Sequence, residues 1–183
     1  KHHKFNKDQF ADKDFSFWEV FSGNLSIRKI DFWDLQGFDE DLWGYEDTDL
    51  AYRAERAGLP IIYAKDAIGY HNHQRTLEQM CKQQRHYQRY AAMLIKKHPE
   101  LDGQISYLID KSPISTDNDS LPLILKKITR TLLARPIIMK AFKALVSQLE
   151  KIYPNPNILR FLYWKIIASY QLIGYREGLR AGD

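Results

Sequence analysis

Glu46-Asp47-Thr48-Asp49 sets three carboxylates in four consecutive positions, directly behind Trp43-Gly44-Tyr45. A carboxylate held beside a hydroxyl can take its proton as the oxygen attacks an electrophile. Aromatic rings beside acids also suit sugars, whose apolar faces stack on the rings while their hydroxyls donate to the acids. The same residues have a structural explanation. Asp and Thr cap helix starts, and acids in a first turn complement the helix dipole, each contributing about 0.5–1 kcal/mol.

Two further groups carry chemical potential. In His71-Asn72-His73, a strand would turn both imidazoles to one face, so both could reach one ion, or one could face a phosphate. Structural histidines fit the pattern equally well. A tetrahedral zinc site does not fit, because Cys81 falls on an expected helix and there is no Cys-x-x-Cys. In Ser22-Gly23-Asn24-Leu25-Ser26, the glycine suits either a bulge or tight turn, or a close approach of backbone to a ligand.

These residues must be positioned by elements that the sequence also predicts. Residues 16–28 mix aromatic and β-branched side chains around Ser22-Gly23-Asn24 and predict an interrupted strand. A short helix is expected over 29–35, ended by Gly37, and another over 46–57, ended by Gly58-Leu59-Pro60. PIIYA (60–64) and AIGYH (67–71) predict two short strands, and 76–98 a long helix stopped by Pro99. The polar SPISTDNDS at 112–120 predicts a linker. Beyond it, apolar residues at helical spacing predict three helices separated by Pro136 and by Tyr153-Pro154-Asn155-Pro156-Asn157.

With 183 residues, 44% of them hydrophobic, the chain can bury a core of ordinary size and is not a disordered polymer. Its formal charge of +4 is unevenly divided. Residues 121–183 hold 11 Lys and Arg against 3 acids, a net +8, which leaves −4 for residues 1–120. A basic, apolar back half suits an anionic surface. The single Cys81, without a partner thiol or secretory leader, predicts a reducing, cytoplasmic setting. No apolar run approaches the roughly 18–20 residues of a membrane-spanning helix.

S-G-N-L-S-I-R, G-F-D-E, W-G-Y-E-D-T-D-L-A-Y-R and G-Y-H, in that order over residues 16–75, resemble the C-terminal half of a family 2 type glycosyltransferase of GT-A fold. The look-alikes are the galactosyltransferase C-terminal segment and bacterial polysaccharide-forming enzymes. The resemblance implies an α/β fold, and with the boundary that the turn formers and the change of charge place at 112–120, the expected order is a C-terminal GT-A half over 1–111, a linker at 112–120 and a basic helical extension over 121–183. The resemblance also implies transfer, with inversion, of a sugar from a nucleotide-diphosphate donor to a glycan or lipid-linked acceptor. Asp47 would be the general base and Glu46 would hold acceptor hydroxyls. Trp43 would stack on sugar, Gly23 and Asn24 would line the donor sugar, and His71, with His73 as a second candidate, would hold Mn²⁺ or Mg²⁺. Tyr45 stands where relatives often have glycine and would narrow the acceptor side. Asp47-Thr48-Asp49 imitates the metal-binding Asp-x-Asp of this superfamily but lacks the apolar strand that must precede it. The resemblance places that motif in an upstream nucleotide-binding half, so the isolated chain is expected to be nearly inactive.

Residues 121–183 predict helices able to lie in a membrane interface, with Phe161, Leu162, Tyr163, Trp164 and Tyr170 at headgroup level and cations toward anionic lipid. Packing of these helices on the rest of the chain explains the pattern equally well. The expectation is a cytoplasmic protein, peripheral on the inner face of the membrane in the first case. A noncatalytic sugar-binding or scaffold module is the alternative. Nucleic-acid binding is not expected, since the basic residues are interleaved with large aliphatics and no helix-turn-helix, zinc-finger or RNP pattern occurs.

Overall fold

The computed structural model describes residues 15–70, 74–104 and 106–181. The chain forms two compact units, Lys1–Gln74 and Arg75–Asp183.

In the first unit, α1 spans Lys29–Asp34 and α2 spans Glu46–Arg56, with single 3₁₀ turns at Phe17–Glu19, Ser22–Asn24 and Glu40–Leu42. Phe17, Leu42, Leu50, Ala51, Tyr52 and Ala54 form its buried centre, where the rings of Phe17 and Tyr52 meet edge-on at 5.0 Å. Both helix ends follow from local chemistry. After α2, Gly58 takes φ +76°, its N–H donates to the Glu55 carbonyl and the Leu59 N–H reaches back to the Ala54 carbonyl. That is a Schellman stop, and glycine fits its left-handed residue at no steric cost. α1 ends the same way, with Gln36 at φ +63° and the Gly37 N–H on the Phe32 carbonyl.

The second unit is built around α3 Leu77–Lys97, α4 Leu121–Leu133, α5 Pro136–Ile152 and α6 Pro156–Arg180. Thr76 and Gln79 exchange a capping box at the start of α3. Asn155 caps α6, whose first residue is Pro156, a position where the missing N–H costs nothing. α3 and α6 run side by side in the same direction: Gln84 bonds Gln171, Arg85 pairs with Glu177, and the Lys96 ammonium donates to the carbonyls of Leu179 and Ala181. Gly174 and Gly178 allow this approach. A Cβ at Gly174 would lie 1.9 Å from the Arg85 carbonyl oxygen, and one at Gly178 2.1 Å from that of Arg89. Cys81, Met139, Val146, Ile166 and Ile167 close the core between α3, α5 and α6.

Residues 112–120, expected as a linker, are bonded to α4. The buried Lys127 ammonium donates to Asp119, the Ser112 hydroxyl and the Pro113 carbonyl.

The expected α/β architecture is not what this chain forms. Among the described residues there is no strand, and every regular element is helical. Residues 17–19 close a 3₁₀ turn under a Ser16–Glu19 capping box, and Ser22-Gly23-Asn24 forms another. Residues 60–64 and 67–70 are irregular around a turn at Lys65-Asp66. Their β-branched and aromatic side chains favour extended backbone locally, but a strand exists only when a neighbour takes its N–H and C=O groups. No neighbouring strand pairs with them among the described residues, and Ile62 and Tyr70 stay 79% and 92% exposed.

Candidate functional site

The three carboxylates at the start of α2 differ in their partners. Glu46 accepts the Gly44 N–H. Gly44 sits at φ +107°, a conformation that strains any residue with a Cβ, and the turn leaves Trp43 69% exposed. Tyr45 is the helix N-cap and makes no side-chain capping bond, and Glu46 bonds the incoming chain at Gly44 where an Asp or Ser cap would bond the helix.

Asp47 is half-buried. Its Oδ1 accepts the Thr48 N–H at 2.8 Å, and its Oδ2 accepts the Ser22 N–H at 2.8 Å. A residue 25 positions upstream is thereby fixed to the first turn of α2. Two motifs that are separate in sequence share one place.

Asn24 extends the assembly. Its amide Nδ2 donates to the Ala67 carbonyl at 2.8 Å, joining the Ser22–Asn24 turn to the segment that leads toward His71. Gly23 has no left-handed φ, and a Cβ there would meet nothing within 4 Å. Neither backbone strain nor crowding among the described residues requires glycine at this position.

Asp49 is fully buried and belongs to the scaffold. It pairs with Arg53 one turn on, 2.8 Å from Nε, and Arg53 in turn donates to the carbonyls of Leu35 and Gly37. The left-handed turn after α1 is thus clamped to α2 by a charge-assisted fork. The Asp-Thr-Asp spacing therefore separates a half-exposed carboxylate from a buried one. Among the described residues, no three His, Cys, Asp or Glu side chains gather to hold a metal ion. His71 and His73 lie outside the described residues.

Asp47, Glu46, Tyr45, Trp43, Gly23 and Asn24 thus fall within one unit. The structure adds two residues to the sequence candidates: Ser22, through its N–H, and Arg53, which holds the neighbouring turn. A backbone donor leaves no trace in sequence, whereas the Asp49/Arg53 spacing of four was a readable signal for a helical ion pair.

Comparison with known proteins locates this region. Residues 2–91 match the family described as the N-terminal domain of galactosyltransferase, where the sequence motifs had pointed to a galactosyltransferase C-terminal segment. Over 65 residues the chain is 40% identical to validoxylamine A glucosyltransferase of Streptomyces hygroscopicus subsp. jinggangensis, covering 34% of this chain and 15% of the relative. The same identity and length hold for the protein of that name from Streptomyces hygroscopicus subsp. limoneus, of which 14% is covered. The chain thus spans about one-seventh of the length of these curated relatives. No solved structure matches it. The matches make the first half of the chain similar to glycosyltransferase sequences.

Proposed function

We propose that Lys1–Gln74 carries the acceptor and base side of an inverting glycosyltransferase that uses a nucleotide-diphosphate sugar. The observation that carries this reading is the Ser22–Asp47 bond together with the Asn24–Ala67 bond, which gathers the motifs around a half-buried carboxylate and an exposed tryptophan. Asp47 Oδ1 takes the Thr48 N–H and, at 3.5 Å, the Thr48 hydroxyl, while Oδ2 takes the Ser22 N–H alone. A carboxylate offers about four lone-pair positions, so it retains room for an acceptor hydroxyl. The proton of that hydroxyl passes to Asp47 as the oxygen bonds to the anomeric carbon from the face opposite the leaving group. The bond to the diphosphate breaks with its electron pair going to the diphosphate, and the configuration inverts.

Trp43 stacks on the sugar, Tyr45 narrows the acceptor side, Glu46 orients acceptor hydroxyls and the open side of Gly23 faces the donor sugar. The acceptor class is a glycan or lipid-linked saccharide of polysaccharide or glycoconjugate synthesis. A divalent cation, Mn²⁺ or Mg²⁺, enters this proposal only through His71 and His73. Because the aligned segment is 15% of the relative's length, the isolated 183-residue chain is expected to transfer little sugar.

The test is to incubate the full-length protein containing these residues with nucleotide-diphosphate hexoses and saccharide or lipid-linked acceptors, with a divalent metal or with chelator. The expected result is transfer to one acceptor class with inverted anomeric configuration. Retained configuration would remove the single-displacement mechanism, and sugar binding without transfer from any donor would favour the noncatalytic module.

A further inference from the structure

α4 exposes Leu121, Leu125, Ile128 and Leu132, by 70%, 56%, 41% and 43%. Their spacing of four, three and four puts them on one helical face. An apolar stripe in a globular unit normally turns inward, and this one does not. Beside it, between α4 and α6, runs a groove of about 260 Å³ whose walls include Lys126, Thr129, Arg130, Phe161, Trp164 and Lys165. Phe161 and Trp164 are each 59% exposed, and the Lys165 ammonium lies 4.9 Å from the centre of the Phe161 ring.

The charge in this region is unbalanced. Asp110 is shared by Arg130, by Lys126 at 2.7 Å and by Lys111 at 3.1 Å, so one carboxylate faces three cations. Two of those cations, with Lys165, also line the groove. The ligand that matches this surface carries negative charge at the cationic groove and hydrocarbon along the adjoining leucines. A free phosphate would satisfy the groove alone and leave the stripe in water.

We propose that the α4/α6 groove and the α4 stripe form a docking surface for a bilayer containing anionic phospholipid. The headgroup phosphate sits among Lys126, Arg130 and Lys165. Leu121, Leu125, Ile128 and Leu132 enter the acyl boundary, and Phe161 and Trp164 lie at headgroup level, as amphipathic interfacial helices do. This surface is independent of the transferase reading, since none of its residues belongs to the first unit.

Cosedimentation of the full chain with vesicles tests it. The chain should sediment with an equimolar phosphatidylcholine–phosphatidylglycerol mixture, far less with phosphatidylcholine alone, and binding should weaken with added salt. Leu125→Ser with Leu132→Ser changes two exposed positions, and Lys165→Glu reverses one rim charge. Each variant should keep the wild-type far-UV spectrum and melting temperature yet bind the mixed vesicles about tenfold more weakly. Absence of sedimentation with the mixed vesicles would overturn the proposal. Wild-type binding by both folded variants would do the same. So would loss of binding in Lys165→Glu alone together with full competition by inorganic phosphate, which identifies a free-phosphate site.

Discussion

Neighbouring carboxylates acquire different chemistry from what each one holds. Asp49 is buried against Arg53, so Arg53→Ala takes the opposite charge away from a carboxylate in the interior and frees the carbonyls of Leu35 and Gly37. A loss of about 3–5 kcal/mol is expected, measured by denaturant unfolding. A change below about 0.5 kcal/mol, the size expected of an ordinary surface substitution, would show that the pair does not carry the turn. Gly23 has the opposite character. With open space beside it, Gly23→Val should leave stability within about 0.5 kcal/mol while raising KM for the sugar donor in the full-length protein. An unchanged KM would remove Gly23 from the donor site. At this scale the sequence was informative about side chains and silent about backbone. The adjacency of Trp43, Glu46 and Asp47 stands in the sequence itself, whereas the Ser22 N–H on Asp47 became visible only when the chain folded back across 25 residues.

Among the elements, helices were legible and strands were not, and the reason is physical. A helix closes its hydrogen bonds within a few residues, so periodicity, caps and stops encode it locally. Thus the long helix expected at 76–98 runs Leu77–Lys97. A strand needs a partner, and the apolar residues of 60–64 and 67–70 cannot supply one. The parallel approach of α3 and α6 also lay hidden, because it depends on what Gly174 and Gly178 meet on α3. Gly174→Ala puts a methyl 1.9 Å from the Arg85 carbonyl oxygen. The helices must separate, and the variant should lose about 1–3 kcal/mol or more, seen as a lower melting temperature. A wild-type melt would mean that the helix pair tolerates wider spacing.

For the whole molecule, the charge division read from sequence, −4 before residue 121 and +8 after it, has a structural counterpart in the cations around Asp110. Burial alone would raise the Asp110 pKa. Hydrogen bonds from Arg130 and Lys126 and the charge of Lys111 outweigh it and hold the carboxyl well below its ordinary range. The folded state therefore binds this proton less readily than the unfolded chain. The resulting stability is fully present above about pH 4, the ordinary aspartate value, and is lost as pH falls toward the depressed folded value. Thermal melts of the full chain followed by helical circular dichroism should weaken below that pH. Asp110→Asn should be less stable at neutral pH and should flatten this acid dependence. An identical slope in both proteins would assign it to other groups.

Asp47→Asn in the full-length protein removes the proposed base. The substituted amide keeps an oxygen for the Ser22 N–H, gives up the bond to the Thr48 N–H and is no longer a base. The kcat for sugar transfer should fall by about a hundred- to ten-thousand-fold, with acceptor KM and the helical spectrum nearly unchanged. A kcat equal to that of the wild type would contradict the role of Asp47 as base and leave it as the structural link between α2 and the Ser22–Asn24 turn.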